Sequence, residues 1–201
     1  MTAGTAKQPR VDMARVNETR GPYTYVGLRH ADIQKLRDFR NAQIAVLRQK
    51  APLSERDQED WFETVVEPMH ASATPSFLLV SILEGDSLFI GYGGLTNIDW
   101  HHRRAEVSFL VDPDRASDAR LYREDFSAFL NFLKTWAFGE LALRRLFTET
   151  FAFRDYHMSI LEAAGFRQEG RMRDHIVDPN DETKFVDSVL HGITSVDAGV
   201  T

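Results

Sequence analysis

The chain has 201 residues, 43% of them hydrophobic and 11% aromatic, with 14 phenylalanines among them. That is material for one domain with a sizeable buried core, and it excludes disorder as a whole-chain class. A net charge of -6 without a dominant basic run excludes phosphate-gripping nucleic-acid binders and gives no attraction to an anionic membrane. Cysteine is absent, which removes disulfides, thiolate nucleophiles and cysteine-based metal sites.

The elements follow in chain order. Residues 1–20 are polar and aperiodic and read as a disordered tail, residues 21–193 as one domain, and residues 194–201 as a second tail. Tyr23 to Leu28 reads as a strand. Ala31 to Arg48 carries Ile33, Leu36, Phe39, Val46 and Leu47 at roughly helical spacing. Ser54-Glu-Arg-Asp57 resembles a capping box opening a second helix through Trp61 and Phe62. Ser76 to Leu83 and Leu88 to Leu95 read as a hairpin turning at Glu84-Gly85-Asp86. A strand over Ala105 to Val111 leads to a long helix over Leu121 to Leu141. Strand Leu146 to Phe153 and helix Tyr156 to Ala164 follow, the helix stopped by Gly165. Phe166 to Met172 and Lys184 to Ile193 close the chain as strands. The plan is mixed α/β with a parallel pair in the middle. Neither a signal peptide nor a membrane span is evident, so a soluble cytoplasmic protein is expected.

This order resembles the GNAT superfamily of acyl-CoA-dependent N-acetyltransferases, and specific residues carry the likeness. Phe89-Ile-Gly-Tyr-Gly-Gly-Leu-Thr-Asn-Ile-Asp99 and Arg104-Ala-Glu-Val-Ser-Phe-Leu-Val-Asp-Pro113 are similar to the central strands of the branch with ribosomal-protein and amino-sugar acetyltransferases. Trp136 to Glu149 and Leu161-Glu-Ala-Ala-Gly-Phe-Arg-Gln-Glu-Gly170 extend it, and Phe39-Arg-Asn41 is similar to the front of the amino-sugar members. The resemblance implies a mixed sheet whose central parallel strands splay apart, flanked by helices. It further implies acetyl-CoA as co-substrate, its pantetheine in the gap and its pyrophosphate on the amides that open the next helix.

The family's pyrophosphate loop is glycine-rich, whereas Asp112 to Tyr122 contains no glycine and is longer by about one helical turn. Two readings follow. In one, Arg115, Ser117 and Arg120 replace the lost amide nest, alongside Leu110 and Val111 of the strand and Arg154. In the other, the arginines pair with Asp114, Asp118 and Glu124, and no CoA binds.

Transfer of an acetyl group to an amine needs a base, a donor for the developing oxyanion and a proton for the thiolate. Without cysteine, direct attack in a ternary complex is expected. Glu106 interrupts an apolar strand on one face with Ser108 and Leu110, which suits a base of raised pKa. It equally suits an ion pair with Arg104 or Arg144, and Glu149 is the reserve. Aligned to the family, Arg154 takes the position of an asparagine and Leu161 that of the tyrosine acid. His157 is therefore a candidate acid or cofactor contact, with Tyr122 and Tyr156 as alternatives; a helix-start histidine also serves as a cap. Arg40, Asn41 and Trp100 are candidate substrate contacts, and Trp100 equally a packing residue. The histidines lack metal-ligand spacing, so no metal is expected.

The expected activity is N-acetyl transfer to a primary amine of a small molecule, an amino sugar by resemblance, in a protein that could form a homodimer. Its rivals are protein N-terminal acetylation and a GNAT fold that has lost CoA chemistry and serves as a binding module.

Overall fold

A computed structural model describes residues 11–200 of the chain. The strands are β1 (Asn17–Arg20), β2 (Tyr23–Gly27), β3 (Leu78–Glu84), β4 (Leu88–Asp99), β5 (Arg104–Val111), β6 (Arg145–Phe151), β7 (Arg167–Asp178) and β8 (Asp181–Thr194). They form one sheet in the order β1-β2-β3-β4-β5-β6-β8-β7. Helices α1 (Ile33–Ala42), α2 (Glu55–Trp61) and α3 (Glu67–His70) lie between β2 and β3, with a π-helical stretch (Phe62–Val66) joining the last two. Helices α4 (Pro113–Ser117) and α5 (Ala119–Thr135) follow β5, and α6 (Asp155–Ala163) follows β6.

Alternation along the strands sends apolar residues to both faces. Leu78, Val80 and Ile82 join Phe126, Phe129, Leu130 and Leu133 of α5 in one core. Leu79 and Leu83 meet Ile33, Leu36, Phe39, Phe62 and Val66 in the other. Each such buried side chain stabilises the fold by about 1.5–3 kcal/mol. Gly93 makes close approach of α5 possible, because a Cβ there would lie 2.5 Å from the ring of Phe129 and 2.6 Å from the carbonyl of Ser108. Tyr25 stacks on Phe132 at 4.0 Å and Phe109 on Phe126 at 4.5 Å, fastening α5 along the sheet.

Three features of the plan differ from expectation, each for a physical reason. Residues 13–20 are not a tail: Met13 is buried, its carbonyl abuts Gly27, and β1 pairs with β2 in a tight hairpin. Residues 195–200 also pack, with Ser195 buried and Asp197 bonded to Thr194 and paired with Arg167. Residues 1–10 of the expected tail lie outside the described residues. The helix expected to reach Arg48 stops at Ala42, after which one 3-10 turn leads into an irregular segment. The capping box at Ser54 and Asp57 and the positive-φ stop at Gly165 stand where the sequence puts them.

One junction organises the site. β5 and β6 are parallel neighbours, yet only Arg104, Ala105 and Glu106 find partners, on Arg145, Leu146 and Phe147. From Val107 onward the two strands part. Their facing edges then line a cavity of about 340 Å³.

Candidate active site

The cavity is walled by Val107, Ser108 and Phe109 of β5, Thr148 to Phe151 of β6, and Phe126 of α5. Val46, Leu47 and Arg48 close one side, and Arg154 and His157 the other. The gap between strand edges with apolar walls fits a narrow flexible chain such as pantetheine, whose amides can pair with the free strand edge.

At the point where the two strands part, Glu106 is buried on the face that alternation predicts for it. Its expected ion-pair partners, Arg104 and Arg144, are not used. Arg48 Nη2 instead lies 2.8 Å from Glu106 Oε1 and 3.1 Å from Glu149 Oε2. Asn97 Nδ2 donates to Glu106 Oε2 at 2.6 Å, and His175 Nε2 lies 3.4 Å from Glu149 Oε1. Asn97 reaches Glu106 because β4 bulges between Thr96 and Asp99, placing Asn97 at φ +48. Asparagine enters that left-handed region more readily than most residues.

On the opposite wall, Tyr122, Arg154 and His157 form one buried set. Tyr122 Oη lies 2.7 Å from His157 Nδ1, and Arg154 Nη2 donates to the same hydroxyl at 3.0 Å. Arginine only donates, so the tyrosine proton turns toward Nδ1 and the imidazole proton sits on Nε2. Burial first, then the charges of Arg154 and His191, hold the His157 pKa well below the ordinary histidine value. Burial raises that of Tyr122 against the pull of Arg154. His157 is thus a neutral N–H donor stacked on Phe126 at 4.4 Å, with its tautomer fixed from behind. Tyr122 is a neighbour of His157 and does not line the cavity itself. Tyr156 donates to the Ala119 carbonyl and accepts from Arg123, tying α6 to α5.

The expected phosphate contacts are arranged differently from either reading alone. The extra helical turn exists as α4. Arg115 turns inward and makes two 2.7 Å bonds to the buried Asp125, with Glu84 beyond it. Tyr23 donates to that same carboxylate at 2.7 Å. Arg120 pairs with Glu124 one turn along the exposed face of α5. Ser117 donates to the Asp114 carbonyl. The helix amides are already capped: Asp112 takes Asp114 N–H, and Asp118 takes Arg120 N–H and Leu121 N–H. Leu110 and Val111 are buried in the two cores. Of the expected polar cofactor contacts, Arg154 alone lines the cavity.

Nor do the expected substrate contacts line it. Arg40 donates to Gln49 and to the Tyr92 hydroxyl, and Asn41 donates to the Leu53 carbonyl while accepting from Leu53 N–H and Gln49 Nε2. Both brace the irregular segment after α1. Trp100 donates to the Pro75 carbonyl beside the hairpin turn. Arg48, Asn97 and His175 were not singled out as site residues by the sequence; only Asn97, inside the family-like stretch Phe89 to Asp99 and with a turn-forming side chain, carried a usable signal.

The model of the acetyltransferase (GNAT) domain matches residues 26–185. No curated protein sequence matches the chain. Among solved structures, spermidine N-acetyltransferase from Vibrio cholerae in complex with CoA and spermine has a TM-score of 0.74 at 16% identity, over 88% of this chain and 97% of that one. A dodecameric form of that enzyme in an intermediate state gives 0.72 at 16% identity, over 88% and 96%. These likenesses are of fold. No helix among the described residues is long and apolar enough to cross a membrane. With the domain match running from β2 into β8 across the splayed pair, the chain belongs to the GNAT acetyltransferase family, acyltransferases whose co-substrate is acetyl-CoA.

Proposed function

We propose that the protein transfers the acetyl group of acetyl-CoA to a primary amine of a small cationic molecule by direct attack in a ternary complex. The observation that carries this is the convergence of two carboxylates, Glu106 and Glu149, at the mouth of the gap between β5 and β6. An ammonium seated there gives its proton to Glu106, directly or through water. The freed nitrogen attacks the thioester carbon lying along the open edge of β5, the N–C bond forms and the C–S bond breaks. The Nε2–H of His157 faces the leaving sulfur as a hydrogen-bond donor, and the thiolate takes the second proton shed by the nitrogen. Glu106 is the base in this scheme, His157 the donor, and Tyr122 and Arg154 the groups that orient His157.

Acetyl-CoA fits the thioester end through the free strand edges and the apolar side chains of Val107, Phe109, Phe126 and Phe151 that line the gap. Its diphosphate would meet the α5 amides only by displacing Asp118 or by sitting beside Arg120 and Arg154. An amino-sugar acceptor rested on Arg40, Asn41 and Trp100, all of which are engaged in bracing the fold. Two carboxylates favour an aliphatic polycation of the kind the structural neighbours are named for. The test is CoA release from acetyl-CoA with spermidine, an amino sugar and a basic N-terminal peptide offered in parallel. Spermidine should turn over fastest; a faster amino sugar or peptide would replace the acceptor assigned here, and no turnover with any amine would overturn the activity.

A further inference from the structure

The acceptor side holds an arginine in the place where a cationic substrate would go. One oxygen of Glu106 is held by Asn97, and one oxygen of Glu149 lies 3.4 Å from the half-exposed His175 Nε2. Their other oxygens converge on a single nitrogen, Arg48 Nη2. The carboxylate side chains are 10% and 19% exposed, whereas Arg48 is 54% exposed. The anions are therefore built into the wall while the cation reaches them from outside.

The surroundings of Arg48 allow it to leave. It stands in the irregular segment between α1 and α2, and its bonds among the described residues are those to the two carboxylates. The backbone beside it is pinned instead through Gln49, which bonds Asn41, Arg40 and the Ala51 carbonyl. A rotation of the Arg48 side chain alone uncovers the pair. Two carboxylates facing one point then repel each other, and a cation in that place relieves it. An ammonium has three donors and can satisfy both convergent oxygens with one N–H to spare.

We infer that Arg48 is a built-in occupant of the acceptor's ammonium seat: the convergent oxygens of Glu106 and Glu149 bind the guanidinium in the resting protein, and an amine acceptor binds by displacing it. Arg48 then sets the affinity for acceptors and excludes neutral ones, which cannot compete for the carboxylates. This rests on the acceptor site assigned above, so binding and turnover are measured separately.

The experiment is calorimetric titration of spermidine, without donor, into the full chain, Arg48→Ala and Arg48→Gln, with thermal melting to check folding. Loss of the internal competitor should tighten spermidine binding by about tenfold or more in both variants, given what close charge pairs contribute. Glu149→Gln in the Arg48→Ala background should cancel most of that gain. Equal or weaker binding in the Arg48 variants overturns the inference and makes Arg48 a bystander or an anchor for the acceptor. Should the variants bind spermidine more tightly while none acetylates it, the seat stands and the acceptor assignment falls. Should all acetylate it with unchanged affinity, the assignment stands and the seat falls.

Discussion

The acceptor seat and the diphosphate-binding helix starts proposed above are each occupied by the protein's own side chains, but in different ways. At the donor end, aspartates occupy the helix-opening amides: Asp118 accepts from residues two and three positions ahead, and Asp112 from Asp114. At the acceptor end, Arg48 crosses 58 residues of sequence to reach Glu106. The donor-end occupants are local caps that help start α4 and α5, so displacing them loosens a helix end. The acceptor-end occupant supports no element and rests on the wall from outside. Displacement should therefore be easy at the amine end and resisted at the phosphate end.

The largest expected effect is at the acceptor end. Glu106→Gln keeps the shape and the Asn97 contact but removes the base, and kcat should fall by about 100-fold or more with the melting temperature little changed. A rise in KM at constant kcat would make Glu106 a binding group only.

At the donor end, Arg115→Ala should act on stability. It leaves the buried Asp125 carboxylate with Tyr23 alone and no countercharge, and removing one partner of a buried pair costs about 3–5 kcal/mol, readable by urea unfolding. A well-folded variant that has lost CoA affinity would put the guanidinium on the phosphate instead.

The wall between the ends can be probed by pH. Burial keeps His157 neutral in the fold, while in the unfolded chain it takes up a proton near its ordinary value of 6.5. The unfolded state thus binds more protons below that value, and stability drops as pH falls from 7 to 5. The slope for one such proton is about 1.4 kcal/mol per pH unit. His70, also held down by burial, adds in the same direction. His157→Gln should flatten the profile; an unchanged profile would mean the imidazole is not held neutral.

The smallest effect sharpens the comparison most. Asp118→Gly frees two amides and should lower stability by only a few tenths of a kcal/mol, since glycine is nearly as good a cap. CoA should bind it several-fold more tightly, if the carboxylate stands where the diphosphate belongs. Weaker binding would show that Asp118 helps the donor site rather than competing with it.

What was legible in the sequence follows the same local-versus-distant divide. The capping box at Ser54, the stop at Gly165 and the extra turn after Asp112 were readable because each depends on residues within one helical turn. The face of Glu106 was readable because strand alternation fixes it. The end of α1 was not, because Val46 and Leu47 keep a helical spacing although Val46 ends a 3-10 turn and Leu47 packs on the core from just beyond it. The fates of Arg115, Arg40 and Asn41 were hidden for another reason: a guanidinium or amide beside a site looks the same in sequence whether it faces a ligand or Asp125, Tyr92 or Leu53. Arg48 was invisible because its partners come from β5 and β6, far along the chain.

The claim that the gap between β5 and β6 receives the donor is tested most directly by amide hydrogen exchange with and without acetyl-CoA. Protection should rise along Val107 to Phe109 and Thr148 to Phe151, the edges that find no partner in each other. Unchanged exchange along both edges at saturating acetyl-CoA, or protection confined to other surfaces, would contradict it.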